Sequence, residues 1–234
     1  MIQLNLLKND IRFQFRHGFY YAYLVITIFY IGILRFIPLD FKEYIATLII
    51  FSDPSALGGF FIGGIILLEK NQRIFDGLFS APVRIQDYLF AKVFSLAIIS
   101  LLTSFIVVFA SGLKVNILLL FIGVIMSAVF FTLIGLSLAV IVKNLNQYIL
   151  LSPLYTFFFV LPILDYLEIY YHPVFMLLPA NASLILIEGA FWGISLGSFI
   201  YSVVNLGVWI MVAYVLSRVW FYKYIILNLG GGGR

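Results

Sequence analysis

Two stretches, Val93–Ala110 and Ile117–Val142, carry no charged residue and are joined only by the tight turn Ser111-Gly112-Leu113-Lys114. Runs of this length match the roughly 20 apolar residues that a helix needs to cross a hydrocarbon core of about 30 Å. Hydrocarbon offers backbone amides no partner, so a crossing segment must bond its own backbone, as a helix does. The rest of the chain repeats the pattern. Hydrophobic residues make up 64% and charged residues 10%, against about 25% charged in soluble domains. We therefore expect an all-α integral membrane protein with six transmembrane helices, forming one transmembrane domain over residues 1–229 with no soluble domain of useful size. The absence of cysteine excludes disulfides and thiol chemistry.

Along the chain, Leu4, Leu7, Ile11 and Phe15 recur at helical steps, with Asn5, Lys8, Arg12 and Arg16 opposite. The spacing predicts an amphipathic helix over 1–17 lying on an anionic membrane surface. A first span follows from Phe19 to Ile37, with Tyr20, Tyr21 and Tyr23 at its entry. Pro38 to Glu43 reads as a short loop. The second apolar stretch, Tyr44 to Leu68, is interrupted by Ser52-Asp53-Pro54. Asp before Pro is a helix-start signature, so a broken or kinked entry is expected, with Ile45 to Phe51 partly in the outer leaflet and Asp53 capping a half-helix from Pro54. Gly58, Gly59, Gly63 and Gly64 give that helix a small-residue face suited to close packing. Beyond the two charge-free spans, a polar turn Lys143–Gln147 leads to a fifth span, Tyr148–Leu164. Residues 165–198 hold Pro173, Pro179, Asn181 and Glu188 among short apolar pieces. Such backbone survives at membrane depth only when buried in protein or lining water, so a pair of re-entrant or surface helices is expected on the outer side. A sixth span runs from Phe199 to Leu216, and 230–234 reads as a flexible tail or a non-native addition.

The longest clearly polar segment is EKNQRIFDGLFSAPVRIQDYLFAK, residues 69–92, with Gly77 and Pro82 in its middle. Its apolar residues fall at helical spacing, Ile74 and Leu78, then Ile85, Leu89 and Val93. Two short helices in water, roughly 69–79 and 84–92, are expected. Glu69, the Asp76-Gly77-Leu78 turn, Ser80-Ala81-Pro82 and Asp87-Tyr88-Leu89 followed by Lys92 resemble the signature of ABC type-2 permeases. The chain departs from the common pattern at Glu69-Lys70, where Glu-Arg is usual, and at Gly77-Leu78, where Gly-Thr is usual. Within that family, FSDPSALGGFFIGGIILLEK, residues 51–70, is similar to permeases labelled fluoroquinolone exporters.

The resemblance implies the permease subunit of an ATP-driven exporter in a prokaryotic cell membrane, paired with a second permease, identical or related, and driven by two separate ABC ATPase subunits. It implies that segment 69–92 receives the mechanical input. Ile74, Phe75 and Leu78 would make apolar contact and Arg73, Asp76 and Arg84 polar contact, with Glu69, Gly77 and Pro82 completing the set. ATP and Mg would sit in the partner, because this chain has no Gly-x-x-x-x-Gly-Lys-Ser/Thr loop to cradle phosphates. No cofactor, metal or nucleic-acid site is expected in the chain itself. An apolar, aromatic path lined by Phe60, Phe61, Tyr155, Phe158 and Phe159 would suit hydrophobic or amphipathic cargo, such as a drug-like molecule, a peptide or a lipid. Asp53 and Glu188 are candidates for an outer gate. The alternative is a nucleotide-independent, channel-like or structural membrane subunit.

Charge sets the expected orientation. Lys8, Arg12, Arg16, Lys70, Arg73, Arg84, Lys92, Lys143, Arg218, Lys223 and Arg234 fall on one side; Arg35, Lys42 and Lys114 fall on the other. The positive-inside rule then places both termini and segment 69–92 in the cytoplasm. Two Gly-x-Ser steps, Gly135-Leu136-Ser137 and Gly193-Ile194-Ser195, raise an intramembrane serine nucleophile. Such a serine needs a base within reach, and His17 and His172 are badly placed to serve. Small residues at helix contacts explain both steps better.

Overall fold

The computed structural model describes residues 2–229, leaving aside the side chains of residues 2, 56 and 57; the expected tail, 230–234, lies outside the described residues. Helix α1 (Ile2–Arg16) is followed at Gly18, in a left-handed conformation with φ 83°, by α2 (Phe19–Phe36). Glycine reverses the chain there without the clash a Cβ would bring. Pro38 starts α3 (Leu39–Ser52) by its fixed φ, so the expected loop at 38–43 is already helix.

Of the break or kink expected at Ser52-Asp53-Pro54, the break does not occur. Residues Asp53–Gly58 form a π-helical turn that passes directly into α4 (Gly59–Asn71). Pro54 has no N–H and its ring displaces the preceding turn. The backbone absorbs this by widening locally while the helix continues. Leu39–Asn71 is thus one helical run of 33 residues, long enough to cross a membrane.

The polar segment also differs from the expected pair of water-exposed helices. Glu69 to Asn71 belong to α4; a turn through Gln72 and left-handed Arg73 (φ 52°) leads to α5 (Ile74–Ser80). Then α6 (Ile85–Ala110) starts at Arg84 and runs into the third span without interruption. Asn116 accepts from the amides of Leu118 and Leu119 at 3.1 and 3.2 Å and so starts α7 (Ile117–Ile141). Asn144 caps α8 (Leu145–Val160) in the same way, at 2.9 Å from the Gln147 amide. The fifth apolar helix therefore ends at Leu161-Pro162, short of Leu164, and a single turn α9 (Ile163–Tyr166) continues it. In place of a helix pair, residues 165–198 hold a 3₁₀ turn (Pro173–Leu177) and one helix, α10 (Pro179–Trp192). The last long helix is α11 (Leu196–Tyr224).

Five of these runs are long and apolar enough to cross a membrane: Phe19–Phe36, Leu39–Asn71, Ile85–Ala110, Ile117–Ile141 and Leu196–Asn228. The molecule is a multi-pass membrane protein. Helix α7 is its axis, packed by α4, α6, α10 and α11 and buried along most of its length. At one end, which carries Arg12, Lys70 and Lys143 and is called the basic end below, the Lys70 ammonium donates to the carbonyls of Val140 and Val142 at 3.2 and 3.1 Å. At the other end, Tyr44 stacks on Tyr166 and donates to its carbonyl at 2.6 Å. Helices α8 and α9 run between these two anchored ends. The carbonyls of Met176 and Leu177 accept from Asn205, and that of Leu177 also from Trp209 at 2.7 Å, so the segment before α10 is tied to the flank of α11.

Candidate functional site

At the basic end, three helices meet on three buried charges. Lys92 of α6 binds Asp10 of α1 and, at 2.5 Å, Glu69 of α4. Every remaining carboxylate oxygen of the cluster is occupied. Tyr88 donates to Glu69 at 2.5 Å, and Ser95 donates to Asp10 at 2.6 Å. Gln14 donates to the Ser95 hydroxyl at 2.7 Å. The Lys92 ammonium also lies 5.2 Å from the ring centre of Tyr88 and 5.7 Å from that of Phe13. Two carboxylates and one ammonium leave one surplus negative charge, spread over these donors. All three ionic groups are buried, so they hold together as a unit: desolvation of each ion costs several kcal/mol and only the mutual pairing offsets it.

This places Glu69 and Lys92 inside the protein, away from the surface that the polar segment presents. Phe75 is likewise buried, its ring 5.8 Å from Tyr88 and 5.6 Å from Phe221. The other expected contact residues do lie outward: Arg73, Asp76, Gly77, Pro82 and Arg84 are exposed, and Ile74 and Leu78 are half-buried. The result is a compact exposed knuckle, α5 and the 81–84 turn, seated directly on the ionic cluster. Asp10 lies off the apolar stripe of α1, which by itself gives no sign that this carboxylate is buried. In the fold, Leu4 and Phe15 stay exposed, while Asp10 and Gln14, one turn apart, face α6. The available signal was Lys92, which sits at helical spacing from Leu89 and Leu96 and on that apolar face requires a counter-charge.

The second feature is an apolar cleft of about 780 Å³ between the α3–α4 run and α8. Phe51, Ser52, Ser55, Phe60, Tyr155 and Thr156 are among its walls. Of the five expected pathway residues, Phe60 and Tyr155 line it. Phe61 instead packs on Phe19 and Tyr23, at 5.5 and 4.9 Å between ring centres. Phe159 packs on Phe130 and Trp209, at 5.4 and 5.5 Å. Phe158 is exposed on the flank of α8. Tyr148 closes the base of the cleft, its hydroxyl bonded to the Gly59 carbonyl.

The two gate candidates are not brought together as one element. Asp53 does not cap a half-helix; it is buried inside the continuous run, and neither carboxylate oxygen has a hydrogen-bond partner. Glu188 is half-buried on α10, near the stacked Tyr44–Tyr166 pair. The Gly-x-Ser serines have local roles. Ser137 donates to the Ile134 carbonyl and lies 3.0 Å from the Tyr155 hydroxyl, and Ser195 accepts from the Ser198 amide at the start of α11.

Comparison with known proteins bears on the whole chain. The family model described as the fluoroquinolones export permease protein family matches residues 2–228. Fluoroquinolones export permease proteins from Mycobacterium tuberculosis strains CDC 1551 / Oshkosh and H37Rv are each 26% identical to it over 193 residues, covering 81% of this chain and 81% of theirs.

Proposed function

We propose that this chain, which belongs to the fluoroquinolones export permease protein family, is the permease subunit of an ATP-driven ABC exporter for hydrophobic or amphipathic, drug-like cargo. The observation that carries the reading is the seating of the exposed knuckle on the Asp10–Lys92–Glu69 cluster. A partner pressing on Arg73, Asp76 and Arg84 pushes on a body that shares one buried ionic unit with α1, the second span and the third span. Paired charges in a low-dielectric interior resist separation, so the three elements move together and a push at the surface reaches the membrane. The same run, Leu39–Asn71, that ends in this cluster also forms one wall of the apolar cleft. A displacement of α4 therefore alters the cleft.

In this reading two ATPase subunits bind the knuckles of two permease copies, identical or related. The basic end and both termini face the cytoplasm of a prokaryotic cell, in keeping with the Lys and Arg bias. Helix α1 lies on the inner leaflet with Leu4 and Phe15 toward lipid. The α8–α9 run supplies the sixth crossing, and the 3₁₀ turn with α10 forms a re-entrant element on the outer side, its carbonyls satisfied by α11. The cleft, apolar with scattered hydroxyls, suits a flat amphipathic molecule, and fluoroquinolones are the first compounds to test because the relatives carry that name. The experiment is co-purification of an ATPase with the tagged chain from its native membrane, followed by a drug-stimulated ATPase assay. A chain that purifies alone, and moves drug without nucleotide, would favour the channel-like alternative.

A further inference from the structure

Deep between α2, α6 and α7 lies a set of polar atoms that the exporter reading does not use. Asp53 is 1% exposed, and both its oxygens lack a hydrogen-bond partner. The Tyr23 hydroxyl on α2 and the Ser100 and Ser104 hydroxyls on α6 are buried and also lack partners. The Ser100 hydroxyl lies within reach of both Asp53 and the Tyr23 hydroxyl without a well-aligned hydrogen bond to either, and Ser104 follows one helical turn along the same face. On the α7 side, the Thr132 hydroxyl, equally unpartnered, borders the π-helical turn at Gly58. Unmatched buried oxygens are rare in folded proteins, and a group of them from four helical runs calls for a missing partner.

Charge identifies the partner. An ionised carboxylate in hydrocarbon, without a cation or donors, is too costly to persist. Among the described residues no cationic side chain supplies the balance. Lys92 on α6 is engaged by Asp10 and Glu69, and Lys70 on α4 donates to backbone carbonyls at the basic end. Glu69 and Asp87 lie at that same end. On α3, Asp40, Lys42, Glu43 and Tyr44 sit at the opposite end, and α7 carries no titratable side chain. The titratable groups facing Asp53 are Tyr23 and Tyr30, the latter 3.1 Å from the Ser52 hydroxyl. We propose that Asp53, Tyr23, Ser100 and Ser104 form an intramembrane site for one small monovalent cation, either a proton on the carboxyl or a sodium ion among the oxygens. Ser52 and Ser55, flanking Asp53, line the cleft, so occupancy of this site bears on the turn that forms the cleft wall.

The test uses the whole chain in phospholipid nanodiscs and needs no export assay, so it stands apart from the exporter reading. Infrared spectra at neutral pH, and melting in sodium chloride against choline chloride at equal ionic strength, are compared for the wild type, Asp53→Asn and Ser100→Ala. A bound proton gives a carboxylic-acid stretch that is lost in Asp53→Asn and shifted in Ser100→Ala, with no sodium effect. A bound sodium ion gives no such band but a sodium-dependent rise in melting temperature, lost in Asp53→Asn and reduced in Ser100→Ala. Neither signal in the wild type, or either signal unchanged in Asp53→Asn, overturns the site. Should Asp53→Asn fail to assemble, a wild-type band position and sodium response in Ser100→Ala overturn it.

Discussion

Gly63 lies flat against the ring of Tyr148: a Cβ placed on Gly63 would stand 2.0 Å from the ring, inside any permitted contact. The Tyr148 hydroxyl is bonded to the carbonyl of Gly59, one turn away on the same helix. The absence of a side chain at 63 is what lets α8 dock on α4 and form the cleft base. Gly63→Ala should force the ring out and lower stability by about 1–3 kcal/mol, the usual cost of overpacking. Gly64→Ala, whose Cβ meets only Phe19 at 3.7 Å, should be near neutral. Unfolding curves in detergent for the two variants check the difference.

Lys92→Met should leave Asp10 and Glu69 buried without their cation and cost about 3–5 kcal/mol. Asp10→Asn removes the surplus charge and keeps an acceptor for Ser95, so its loss should be clearly smaller. Yield of folded protein by size exclusion, with melting temperature, separates the two.

How much of this was legible follows from what each residue has to satisfy. Long apolar runs such as Ile117–Ile141 announce themselves, because crossing a membrane demands length and composition alone. The exposed residues Arg73, Asp76 and Arg84 were equally plain, as charges with no reason to be buried. Glu69 and Lys92 were misread as surface residues because they bound the same polar segment. Only the tertiary pairing with Asp10, 82 positions from Lys92, reveals their burial. Asp53-Pro54 was misread for the opposite reason. The local rule ends a helix there, yet packing of the π-helical turn against α6 and α7 keeps it continuous. Of the four glycines noted from 58 to 64, contact geometry selects Gly63 alone, while Gly135, read from the sequence as a small residue at a helix contact, is one. A Cβ on Gly135 would stand 2.5 Å from the Gly59 carbonyl.

The orientation can be read with thiol chemistry against a cysteine-free background. Cysteine at Lys114, exposed at the end opposite the basic one, should react with a membrane-impermeant reagent in intact cells, and cysteine at Arg84 should not. Labelling at position 84 from outside would reverse the proposed topology.

Force transmission through the knuckle makes its own demand. Gly77 is exposed inside α5, and a Cβ added there would meet no other part of the protein within 4 Å, so Gly77→Pro breaks α5 without crowding the core. With normal abundance, this variant and the double reversal Arg73→Glu, Asp76→Arg should lose export at least tenfold while the partner still hydrolyses ATP. Full export in both, assayed as drug efflux per copy, would exclude the knuckle from coupling.

The most direct measurement is uptake of a fluoroquinolone into inside-out vesicles containing the chain and the ATPase that co-purifies with it. Uptake that requires ATP, and is lost when the phosphate-loop lysine of that ATPase is replaced, is the predicted result. Equal uptake without ATP, or with the inactive ATPase, would contradict an ATP-driven exporter.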